Sequence, residues 1–154
     1  MSGGRPPVQR SVMRLTGAMR AVLVLVMSSA LLSACSLFGR GDDQSVPEGD
    51  AWRTEVITAI EQTPGVVSAD LTVNDVDSGT GSRLPLLQGA FTVDGDTQTV
   101  TDEALRRAAD VMGEESSGVR VKLSVRDASG TASRISELGY PGVSNGRALW
   151  EATR

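Results

Sequence analysis

Two stretches of this chain alternate apolar and polar residues without a slip. Val67, Ala69, Leu71 and Val73 fall on one parity, with Ser68, Asp70, Thr72 and Asn74 on the other. Val119, Val121, Leu123 and Val125 repeat the pattern against Arg120, Lys122, Ser124 and Arg126. A period of two sends successive side chains to opposite faces of a strand, so each stretch is a strand buried on one face only. A third strand is expected near Leu86–Val93, with Leu87, Gly89, Phe91 and Val93 in register. These inner faces need an apolar cover.

Two amphipathic segments supply it. Trp52, Val56, Ala59 and Ile60 follow i, i+4, i+7, i+8, behind Asp50 as N-cap and ahead of the stop at Pro64-Gly65. Ala104, Leu105, Ala108, Val111 and Met112 give a second apolar face over Asp102–Met112. Thr99 or Thr101 caps that helix in this reading, with Thr99-Val100-Thr101-Asp102 as a capping box and Gly113 as its end. Asp77–Gly81 and Asp94-Gly95-Asp96 are turns. Past Ser129-Gly130, Ile135, Leu138 and Tyr140 predict a short strand, and Arg147–Ala152 a closing helical turn that docks Trp150. The expected fold is therefore α+β: a two-layer sandwich in the order αββαβ(β), both helices packed on one face of an antiparallel sheet. Leu71, Val73, Phe91, Leu123 and Val125 are its expected core. Leu71-Thr72-Val73-Asn74-Asp75 and Leu123-Ser124-Val125-Arg126-Asp127 echo each other, each behind a helix and ahead of a Ser-Gly-Thr or Ser-Gly-Thr-like turn.

The first 35 residues carry a different signal. Arg5, Arg10, Arg14 and Arg20 precede an apolar run of about twelve residues from Ala21 to Leu32, too short for the ~20 that span a bilayer. The run ends in Leu32-Ser33-Ala34-Cys35, which resembles the lipobox of bacterial lipoproteins. That resemblance implies cleavage before Cys35, diacylglycerol on its thiol, and anchorage at the extracytoplasmic face of a cell membrane, with an outer membrane open in a Gram-negative cell. The implied organisation is a signal peptide at 1–34, a lipidated cysteine and flexible tether at 35–49, and one domain at 50–154. Two acyl chains anchor stably where one does not. Ser36–Gly49 lacks apolar periodicity, as a tether should.

Composition excludes much chemistry. The chain has no histidine and one cysteine, so Ser-His-Asp and Cys-His systems, His-ligated zinc and intramolecular disulfides are out of reach. All nineteen acids lie after Cys35 with eleven of the fifteen basic residues, a net −8 that argues against nucleic acid as a partner. Asp75/Asp77 and Asp94/Asp96 are carboxylate pairs, but both sit beside glycine where aspartate caps its own turn. No cofactor, metal set or nucleophile–base pair is expected, and no enzymatic activity. Trp52 and Trp150 read as core.

The helix-before-strand order also resembles the BON domain of bacterial envelope proteins. Pro64-Gly65-Val66 with Leu71-Thr72-Val73, Leu87-Gln88-Gly89-Ala90-Phe91, and Gly118-Val119 with Leu123-Ser124-Val125 are similar to its motifs over residues 52–127. The Gly-Val to L-x-V spacing is compressed here, the Asp77–Arg83 loop is long, and residues 128–154 have no counterpart. The resemblance implies an envelope-associated binding module. The expected function is a membrane-anchored lipoprotein that contacts phospholipid, wall polymer or another envelope protein. The alternative is a structural or accessory subunit of an envelope protein complex. The candidate contact residues are Arg120, Lys122 and Arg126, outward by alternation in an otherwise acidic domain. Pairing with carboxylates such as Asp70 is the competing expectation for them.

Overall fold

Helix α1 (Ala51–Glu61) buries Trp52, Val56 and Ile60, the stripe that its sequence spacing requires. Asp50 stands at its N-cap, yet makes no capping hydrogen bond; its carboxylate meets Arg53 Nε at 3.3 Å instead. Strands β1 (Val66–Asp77) and β2 (Arg83–Val93) follow as a hairpin, then helix α2 (Thr97–Met112). Strand β3 (Arg120–Arg126), the short β4 (Ala132–Arg134), a 3-10 turn (Ile135–Glu137) and helix α3 (Gly146–Ala152) complete the order. The computed structural model describes residues 44–154. The fold is α+β with the expected αββαββ order, plus a full closing helix.

The sheet runs β1-β2-β3-β4. Its β1/β2 and β3/β4 pairs are antiparallel, but β2 and β3 are parallel, so the sheet is mixed rather than antiparallel. The cause is α2. A helix of sixteen residues between β2 and β3 carries the chain back along the sheet before β3 begins, which is how parallel neighbours must be joined.

One apolar cluster joins the helices to the inner face. Phe91, Leu87 and Val125 on the sheet pack with Val56, Ile60, Leu105 and Ala108 on the helices, all fully or almost fully buried. Leu71 and Leu123 belong to it, and Val73 lies half-buried at its margin. Val67 does not: it is 62% exposed. The register steps from Val66↔Val93 to Ser68↔Thr92, so Val67 is an extra residue in a β-bulge and its side chain leaves the apolar face. Trp52 is buried, and Trp150 is half-buried with Arg154 stacked on its ring at 4.7 Å. Leu149 of the same helix is fully buried and makes the deeper contact.

Three local expectations change. Helix α2 begins at Thr97, and its cap is Asp96, whose carboxylate accepts the Thr99 amide at 2.7 Å. The last strand is Ala132–Arg134, while Ile135 enters the 3-10 turn and Tyr140 lies beyond it. The segment read as tether is docked from residue 44 on: Gly118 donates its amide to Ser45 O at 2.7 Å, and the Ser45 amide donates to Ser117 Oγ at 3.2 Å. Val46 packs against the core from this position.

Candidate ligand-binding face

The side of the sheet away from the helices is built by parity and register. Arg120, Lys122, Ser124 and Arg126 point there from β3; Gln88, Ala90 and Thr92 stand beside them on β2, and Asp70 and Thr72 beyond on β1. Arg134 of β4 pairs across from Ser124 and adds a fourth cation to the three expected. Arg120, Lys122, Arg126 and Arg134 are not buried, and among the described residues none of them makes an ion pair. Asp70 does not neutralise them. Its register runs through Ala90 to Ser124, two inter-strand spacings or about 10 Å from β3.

Cations elsewhere behave differently. Arg53 binds Asp75 at 2.8 Å, Arg106 binds Glu103 and Asp110, and Arg107 binds Glu103 at 2.7 Å. Arg147 pairs with Glu151 and Arg154 with Asp110. Hydrogen bonds from Arg107 and then Arg106 hold the Glu103 carboxyl below its usual range. Among the described residues, every arginine on a helix or at the C-terminus is thus paired, and those of the sheet are not. Positive charge left without a local partner is concentrated on one face of a net acidic protein.

That face is concave. A groove of about 600 Å³ opens over it, lined by Asp70, Thr72 and Gln88 at one end and by Lys122, Arg134 and Ser136 at the other. Gly89, Ala90 and Ser124 line it between these ends and leave room because they are small. Gly89 has φ +133° and sits so close to the Asp70 carbonyl that no side chain would fit, which draws β1 tightly against β2. Pairing along the outer edge of β3 is also interrupted there. Ser124–Arg126 pair with β4, and Arg120 and Val121 with Asn145 and Ser144, while Lys122 and Leu123 fall between. A second hollow, of about 270 Å³, is lined by Arg126 and Thr92 and shares Asp70 and Ala90 with the groove.

The carboxylate pairs resolve into separate local duties. Asp75 binds Arg53, Asp77 accepts the Gly79 amide at 2.8 Å, and Asp96 caps α2. Among the described residues, no three acidic or cysteine groups converge as a metal cage. Also among them, no helix is long and apolar enough to cross a membrane. Cys35 lies outside the described residues. Arg134 and the groove itself were not read from the sequence, because β4 is only three residues long and shows no alternation to place its side chains. No family model, curated protein or solved structure matches the chain.

Proposed function

We propose that this chain is a lipid-anchored module of the cell envelope that binds an anionic envelope component through the outer face of its sheet. One observation carries the reading: four cations, Arg120, Lys122, Arg126 and Arg134, share that face without ion-pair partners among the described residues. The leader and Cys35 supply the address, since Leu32-Ser33-Ala34-Cys35 resembles a lipobox. Each cation near an anionic surface contributes ~1 kcal/mol, too little to recruit a free domain and enough to orient an anchored one.

The test uses the chain from Gly41 onward, which carries the whole described core. It should co-sediment weakly with isolated cell wall or with phosphatidylglycerol vesicles at low salt and not at high salt. Reversal of Arg120, Lys122 and Arg126 to glutamate should abolish binding with an unchanged circular dichroism spectrum. Unchanged binding in that variant overturns the reading.

The accessory-subunit alternative is favoured by β1. It is a twelve-residue edge strand with Val67 exposed at its start, the kind of edge that accepts a partner's strand. Stoichiometric capture of one envelope protein, lost on Val67→Asp and kept on charge reversal of β3, decides for it.

A further inference from the structure

The groove is more selective than a basic surface need be. It runs along β3 from Val121 to Ser124 and also crosses the strands, from Asp70 and Thr72 on β1 to Lys122 on β3 and Arg134 on β4. Three inter-strand spacings of ~4.8 Å make that path about 14 Å long, the length of a short oligosaccharide rather than of a single phosphate. Its two ends differ in chemistry. Lys122 and Arg134 are fixed cations, and Arg134 presents a planar fork suited to a carboxylate. At the far end, Asp70 is an acceptor and Thr72 a hydroxyl, with the Gln88 amide between them. Ser124 donates its hydroxyl to Gly89 O at 3.3 Å and keeps lone pairs to accept.

An extended peptide fits this site poorly. It would pair only with Lys122 and Leu123, the two positions of the β3 edge left open, and would leave the hydroxyl, amide and carboxylate groups of β1 and β2 unused. A planar bilayer fits no better, since a flat array of headgroups meets the long exposed side chains of Arg120 and Lys122 before the small Gly89 and Ala90 that line the groove. A chain of hydroxylated rings that carries carboxylates satisfies both ends at once.

We infer that the groove between Asp70 and Arg134 is a binding site for an acidic oligosaccharide, its carboxylate held by Lys122 and Arg134 and its hydroxyls by Asp70, Thr72 and Gln88. This rests on the reading of the outer face as the binding face, and narrows it to a ligand class and a subset of its residues.

The probe is tetragalacturonate, titrated into the full chain in neutral-detergent micelles at low salt, with maltotetraose as an uncharged α-1,4-linked tetrasaccharide for comparison. The uronate should saturate a single site and shift the amide resonances of Thr72, Gln88 and Ser124, while maltotetraose should bind at least tenfold more weakly. Lys122→Glu with Arg134→Glu should weaken uronate binding at least tenfold. Arg83→Glu, an exposed residue of β2 that does not line the groove, should change it by less than twofold. Thr72→Val, which preserves shape and removes one hydroxyl, should weaken it several-fold without altering the melting temperature. Equal losses for Arg83→Glu and the Lys122/Arg134 pair would make the contact a diffuse charge effect and overturn the site. Failure of tetragalacturonate to bind overturns it too. Continued binding to phosphatidylglycerol vesicles in that case would leave the basic-face reading standing alone, and loss of both would end the two together.

Discussion

Tyr140 donates its hydroxyl to Asp102 Oδ1 at 2.7 Å, across 38 residues of chain. The bond ties the segment after β4 to helix α2. Gln98 strengthens the same junction, since its side-chain amide donates to Asp102 Oδ1 at 2.7 Å and to Leu138 O at 2.9 Å. This latch holds Ile135 and Val143 where they line the groove. Tyr140→Phe should cost about 1.5 kcal/mol, measured by urea unfolding, because it removes a hydrogen bond to a charged acceptor.

The same pair sets an alkaline limit. Burial, and then the bond to Asp102, push the Tyr140 phenol well above its ordinary value of 10.0. The folded state keeps the proton where the unfolded chain loses it, so this stabilisation is full below pH 10 and falls as pH rises beyond it. Asp96 and Asp127 act at the other end. The Thr99 hydroxyl and amide lower Asp96, and the Ser129 hydroxyl followed by the Thr131 amide lower Asp127, both from 3.8. Their contribution is present above that value and is lost as pH falls through the lowered ones. Melting temperature against pH should show both limbs, and Tyr140→Phe should flatten only the alkaline one.

Gly89→Ala should be among the most damaging single-methyl additions. The backbone at φ +133° alone costs about 1–3 kcal/mol for an L side chain, and the new Cβ would collide with the Asp70 carbonyl. Thermal unfolding should show the loss, and the β1 amides should exchange faster than those of β3. Leu123→Ala offers the comparison. That residue is 4% exposed, and its truncation should cost ~2–5 kcal/mol without changing relative exchange between the strands.

Most of this architecture is legible in the sequence because period-two and period-3.6 patterns report burial directly. They report nothing about strand direction. The parallel β2/β3 pair follows from the length of the chain between Val93 and Arg120, a topological signal that alternation does not carry. Val67 continues the apolar parity of β1 and is nonetheless outside, since a bulge is decided by the partner strand's register and not by the residue. Asp96 has the sequence pattern of a turn and lies in one; it also caps α2, because a turn that ends on an aspartate is already the start of a helix. On the outer face, Arg120, Lys122 and Arg126 were legible from β3. Arg134 was not, and without it the site looks like a stripe when it is a trough.

Gly118→Ala should release the N-terminal strap. A Cβ there would lie 2.6 Å from Gln44 O and 2.9 Å from Ser45 O, too close for either to stay. The amides of Ser45 and of position 118 should lose protection in hydrogen exchange, proteolysis between residues 41 and 49 should accelerate, and stability should fall by about 1 kcal/mol. An unchanged protease pattern would mean that the strap is not held by this contact.

The strap has a consequence for where the domain must be cut. Helix α1 opens at Ala51, so a chain begun at Asp50 would keep every helix and strand described and still lose both Ser45 hydrogen bonds and the Val46 contact. The Gly118 amide would then be left without its acceptor, two residues ahead of the strand that carries Lys122. A fragment drawn from helices and strands alone is thus not the folded unit, which takes in residues 44–49 as well.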